Sequence, residues 1–126
     1  VAFSVIFTEA PSLGASTAIF GLLGAYGAFL YLNRSIFSGA QSALNQVLRV
    51  AAINLLIGLS PGIDNWGHLG GLIGGVVVGL LAGPVYTLVR GEAPGIHLQN
   101  QRPSTGILLA GGITAAVSIA VALVLL

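Results

Sequence analysis

Two residues of this sequence have side chains suited to acyl-transfer chemistry and a setting in which to use them, Ser16 and His68, which stand 52 positions apart. A serine hydroxyl becomes a useful nucleophile when a nearby base takes its proton, and neutral imidazole is the commonest such base. Ser16 follows a break, Glu9-Ala10-Pro11-Ser12-Leu13-Gly14, and opens an apolar run that reaches Leu32 without a charge. Proline and glycine are poor helix-interior residues, so a helix starting near Ala15 is predicted, with Ser16 in its first turn. The N–H groups of a first turn lack intrahelical partners and lie at the positive end of the helix dipole, so an anion site can form around such a serine. The plainer reading is that Ser16 caps the helix or packs as a small residue.

His68 sits in Asn65-Trp66-Gly67-His68-Leu69-Gly70-Gly71, one turn into another apolar segment. A histidine there can be a hydrogen-bonded structural residue or part of a proton path. An ionisable group at such depth is nonetheless a functional candidate by default, and the glycines beside it leave space for a partner side chain. Asp64 lies one turn earlier on the same helix face and invites a Ser–His–Asp reading. Aspartate at a helix start is a favoured cap, however, and it would have to reach the ring nitrogen away from Ser16, so a dyad without Asp64 is the expectation. His97 lies in a polar stretch with no chemical partner nearby and is read as solvated. Tyr26, Tyr31 and Tyr86 are read as packing residues or interfacial anchors.

The elements that must position these residues are set by composition. Of 126 residues 56% are hydrophobic and only 6% charged, with a mean hydropathy of +1.01. Soluble domains carry about 25% charged residues, so this chain cannot cover a globular surface and belongs in a bilayer. Four arginines, no lysine and a net charge of +1 argue against nucleic-acid binding. The absence of cysteine excludes a disulfide framework and a thiolate metal site. With only two histidines and three acids, no metal and no cofactor is expected.

The expected fold is all-α, a polytopic transmembrane helix bundle truncated at the N-terminus. Its spans are expected at about 1–8 (partial), 15–32, 42–59, 65–89 and 105–126, with Pro84 kinking the fourth or marking its exit from the bilayer. Connectors are expected at 33–46 and 90–104, and a tight turn at Ser60-Pro61-Gly62-Ile63. The run from Val1 to Phe7 is too short to cross a bilayer and reads as the tail of a helix. Counting crossings puts Arg34, Arg49, Arg90 and Arg102 on one side, expected to be the cytoplasm, with Glu9 and Asp64 opposite. Ser16 and His68 then lie at similar depth near the outer face, on helices crossing in the same direction. Gly67, Gly71, Gly75, Gly79 and Gly83 recur every four residues, with Gly70 and Gly74 beside them. Residues four apart share a helix face, so the row makes a groove in which another backbone can lie, and it suggests a helix surrounded by protein.

The stretches Gly14-Ala15-Ser16-Thr17-Ala18-Ile19-Phe20-Gly21 and Asn65-Trp66-Gly67-His68-Leu69-Gly70-Gly71 resemble the nucleophile and histidine motifs of the rhomboid intramembrane serine proteases, and the resemblance extends from about Phe7 to Val89. It implies a Ser16–His68 dyad, an aromatic Phe20 packed on the histidine ring, and a helix at about 42–59 that matches a proposed lateral gate for substrate. It implies transmembrane proteins as substrates and the lipid bilayer as medium, in a multi-pass protein of, on this expectation, a bacterial cell membrane. The family's second helix supplies a histidine and an asparagine to the oxyanion hole and has no counterpart in these residues, which leaves the backbone N–H groups of Ser16 and Ala15. Thr17 stands where many members have glycine, and Gly67 where alanine is frequent; neither change removes a reacting group. The rival reading is a rhomboid-like protein that binds membrane helices without cutting them.

Overall fold

The computed structural model describes residues 15–90 and 95–124. The elements run α1 (Ser16–Leu32), α2 (Ala40–Ile57), α3 (Asn65–Ala82), β1 (Tyr86–Arg90), β2 (Ile96–Asn100) and α4 (Ser104–Val124). The expected partial span at 1–8 falls outside the described residues. The fold is mostly helical, and two of the described helices are long and apolar enough to cross a membrane, Asn65–Ala82 and Ser104–Leu123.

The all-α expectation needs correction. The helix predicted over 65–89 stops at Ala82, because Gly83 turns extended and Pro84 follows. Proline offers no N–H and disfavours helical geometry in the residue before it. The next residues, Val85 to Val89, are β-branched or aromatic at four of five positions, and Tyr86–Arg90 form a strand instead. β1 pairs antiparallel with β2 in the register Tyr86 with Asn100 and Arg90 with Ile96. The expected loop at 90–104 is therefore largely a hairpin, and His97 lies exposed on its second strand.

The connector before α2 is shorter than expected. Gly39 takes a left-handed backbone (φ 84°) at the N-cap, and the helix begins at Ala40. Gln41, Asn45 and Gln46, within the expected connector, thus lie on its first turns, with Gln41 Nε2 donating to Asn45 Oδ1 one turn on. Arg49, expected on the same side as the other arginines, sits exposed in the middle of α2. The other three arginines do gather at one end of the molecule, after α1, at the end of β1 and before α4.

The helices assemble around α1. Its C-terminal half and the start of α2 share an apolar cluster of Leu30, Ala40 and Val47, with Leu23, Phe29, Phe37 and Leu44 packed against it. α3 lies on α1 backbone to backbone. A Cβ at Gly71 would run into the Thr17 carbonyl and one at Gly75 into the Gly21 carbonyl. A Cβ at Gly79 of α3 would come within 2.7 Å of Ala28 Cβ, and from the α1 side one at Gly24 would come within 2.9 Å of Val76 N. The glycine row thus packs as its spacing predicts, but only on one face. Gly74 has open space beside it, and Ile73, Val77 and Leu80 are exposed. Among the described residues α3 is therefore lined by protein on the α1 side, touched lightly by α2 and by α4 near its C-terminus, where Gly106 abuts the Leu81 carbonyl; the expectation of a helix surrounded by protein is met in part.

The end of α1 opposite Ser16 is closed by Asn33, which is 0% exposed. Its Nδ2 donates to the carbonyls of Phe29 (2.8 Å) and Pro84 (2.9 Å), and its Oδ1 accepts from Tyr86 N–H (2.7 Å). The Tyr86 ring meets Phe29 and Phe37 edge-on.

Candidate functional site

Ser16 is the first residue of α1. The preceding Ala15 occupies the cap position with a near-helical backbone, and no side-chain cap hydrogen bond is made at this end of the helix. The plain reading of Ser16 as a cap therefore finds no bond to support it. Ser16 is half-buried and Ala15 exposed. Their N–H groups lie at the start of α1, where the helix itself provides no acceptor.

His68 lies in the first turn of α3, 8% exposed. Asp64 caps that helix: its Oδ1 accepts from Gly67 N–H at 2.8 Å. No hydrogen bond joins Asp64 to the imidazole ring among the described residues; the two residues are linked through the backbone, His68 N–H to the Asp64 carbonyl at 3.2 Å. The ring itself is stacked on Phe20, with centroids 4.5 Å apart and planes 13° from parallel. Phe20 follows Ser16 by one helical turn, so residues i and i+4 share a face and the imidazole is held against the face on which α1 presents Ser16. Thr17 lies in the contact between the two helices: a Cβ on Gly67 would approach its Oγ1 to 2.8 Å, and Gly71 lies against its carbonyl.

Two polar features of this end are open. The buried Nδ1 of His68 has no hydrogen-bond partner, and neither has the buried Oδ1 of Asn65. Buried polar atoms are satisfied in the great majority of cases, so these two make the start of α3 a candidate site; the buried Nη2 of Arg102, at the other end of the molecule, is likewise without a hydrogen-bond partner. No hydrogen bond joins Ser16 to His68 among the described residues; such bonds are commonly long before substrate binds.

The structure thus brings Ser16, Phe20 and His68 to one end of the α1–α3 pair with the first-turn N–H groups. It keeps Asp64 in its capping role, and it leaves His97 far along the chain on the hairpin. Tyr86 packs in the aromatic cluster at the opposite end, Tyr31 lies under the Arg34 guanidinium at 4.1 Å, and Tyr26 is exposed. Asn33 was missed by sequence reasoning. Its signal was a lone amide following seventeen residues without another amide or any charge, where the apolar run ends.

Comparison with known proteins gives the family. The family model described as the rhomboid domain matches residues 1–85. RHOMBOID-like protein 7 of Arabidopsis thaliana is 40% identical over 79 residues, 62% of this chain and 25% of that protein. Rhomboid protease GluP of Bacillus subtilis (strain 168) is 44% identical over 73 residues, 57% of this chain and 14% of that protein. Inactive RHOMBOID-like protein 8 of Arabidopsis thaliana is 38% identical over 72 residues, 56% of this chain and 20% of that protein. The chain spans a quarter or less of the length of these three relatives. No solved structure matches it. The relatives are mainly plant proteins, so the expectation of a bacterial cell membrane is not supported, whereas membrane residence agrees with the two apolar helices. With the family model matched over more than half of its residues, the chain belongs to the rhomboid family.

Proposed function

We propose that the chain is the C-terminal part, 1–126, of one polytopic rhomboid membrane domain and that this domain is an intramembrane serine endopeptidase. The observation that carries the reading is the stacking of buried His68 on Phe20, one turn after Ser16. In this reading Ser16 Oγ attacks the carbonyl carbon of a peptide bond in a transmembrane substrate while an imidazole nitrogen of His68 takes the hydroxyl proton. The backbone N–H groups of Ser16 and Ala15 donate to the oxyanion of the tetrahedral intermediate, helped by the positive end of the α1 dipole. The imidazolium returns the proton to the leaving amine, and water then repeats the sequence on the acyl-serine. Phe20 holds the imidazole plane and excludes water from that side. Asp64 takes no part beyond capping α3. Substrate helices unwind locally to expose the bond, and α2 borders their path.

The experiment is labelling with a serine-directed fluorophosphonate probe in membranes. The reading expects labelling that Ser16→Ala removes and His68→Ala reduces to background. A folded protein that takes no probe, or one labelled equally without Ser16, overturns it.

One observation favours a second reading, a rhomboid protein that binds membrane helices without cutting them: a relative 38% identical carries the description inactive. In that case the probe gives no labelling while a transmembrane helix peptide still binds.

A further inference from the structure

We propose that Asn33 is a positioning residue of the reaction: it fixes the axial register between the helix that bears Ser16 and the helix that bears His68. This rests on the dyad reading above for its catalytic consequence, but not for its structural content.

The glycine contacts between α1 and α3 bring two backbones together without locking how far one slides along the other. Small-residue grooves repeat every four residues, so a displacement of one turn re-presents a similar surface. Gly71 against Thr17 and Gly75 against Gly21 are two instances of one repeating contact. A directional bond is needed to choose among registers. Asn33 supplies three, and they bridge two parts of the chain: one to Phe29 within α1, and two to Pro84 and Tyr86 just beyond α3. Complete burial leaves water no access to replace them. The bridge is anchored at the α3 side by a stiff segment, since Pro84 fixes its own backbone and Tyr86 is paired into the hairpin. Each helix then transmits the register as a near-rigid rod to the end where Phe20 meets His68. A side chain nearly five turns from the reacting atoms thereby sets their alignment, about 25 Å away at 1.5 Å per residue.

The test compares Asn33→Ala with Asn100→Ala in the full chain, in membranes. Asn100 Oδ1 accepts from Val85 N–H (3.1 Å) and Arg102 N–H (3.0 Å), so its loss loosens the same hairpin without touching α1. Two readouts are taken. The first is a spin-label distance between cysteines introduced at Leu22 and Val77, both exposed, in a chain that has no other cysteine. Asn33→Ala is expected to shift or broaden that distance, and Asn100→Ala to leave it unchanged. The second is the turnover of a transmembrane reporter per probe-reactive serine. A misplacement of about 1 Å costs about a hundredfold, so kcat is expected to fall about that far in Asn33→Ala with KM little changed. Asn100→Ala is expected to keep kcat. Asn33→Asp, which retains the acceptor for Tyr86 N–H, is expected to lie between. A distance and a kcat that move no further in Asn33→Ala than in Asn100→Ala overturn the proposal. So does failure of both Asn33 variants to fold, because loss of a register pin predicts a folded bundle with displaced helices. If the distance shifts while the wild-type protein shows no turnover, the register pin stands and the protease reading is the one that fails.

Discussion

The two ends of the α1–α3 pair are held by opposite means. At the Asn33 end every polar group of the side chain is bonded, the aromatic rings of Phe29, Phe37 and Tyr86 close around it, and the hairpin ties the chain down. At the Ser16 end the helices meet through glycine and a stacked ring, and buried polar atoms of His68 and Asn65 stand without partners. A satisfied polar network in a low-dielectric interior is rigid, and an unsatisfied one is costly. The contrast teaches that the Asn33 side chain is fully bonded within the fold whereas the His68 ring is not, so the bonding that locks one end has no counterpart at the other. Asp64, although it lies one turn from His68, is bonded to its own helix through Oδ1.

Four experiments break or sharpen the comparison. The largest effect is expected at the open end. Ser16→Ala and His68→Ala are each expected to lower cleavage of a transmembrane reporter by about a millionfold, and the double variant to be no worse, because such groups act as one unit. Additive losses in the rate assay speak against a dyad.

The glycine contact comes next. Gly75→Leu would drive a side chain into the Gly21 carbonyl, and overpacking of this kind costs about 3 kcal/mol where backbone cannot yield. Gly74→Leu, one residue away with open space beside it, is expected to stay within about 0.5 kcal/mol. Thermal unfolding in detergent reads both; equal melting temperatures mean that the row does not carry the helix contact.

Phe20→Leu keeps apolar volume but removes the ring. An aromatic pair is worth about 0.5–1.5 kcal/mol beyond its area, so up to about a tenfold loss of kcat is expected with melting temperature nearly preserved. A larger loss of stability than of rate would put Phe20 with the packing residues.

The smallest effect is expected at Asp64. Asn caps about as well as Asp, so Asp64→Asn is expected to keep most activity, while Asp64→Ala costs about 1 kcal/mol of stability. A fall of about ten-thousandfold for Asp64→Asn, the size seen for a triad aspartate, would move Asp64 across to the reacting side.

Local physics made much of this protein legible in its sequence. Apolar runs without charge announce helices, Pro61-Gly62 announces the turn before α3, and Asp64 announces its cap, since each depends on residues within one turn of each other. The four-residue recurrence of glycine announced a backbone contact because a helix face repeats at that interval. What a sequence cannot carry is which distant group meets which. The arrest of α3 at Ala82 followed from Gly83 and Pro84, but the strand after it formed only because Ile96–Asn100 lies alongside to accept its hydrogen bonds. Arg49 counted with the arginines of one side in the sequence, but α2 runs from Ala40 to Ile57 and places it in the middle of the helix. Asn33 is a polar residue at the end of an apolar run when read along the chain. Its burial and its bonds to Pro84 and Tyr86, more than fifty residues away, exist only once three-dimensional packing brings the ends of α1 and α3 together. The same holds for Ser16 and His68: their types were written in the sequence, and the shared face on which Phe20 meets the imidazole was decided by the backbone contact that glycine permits.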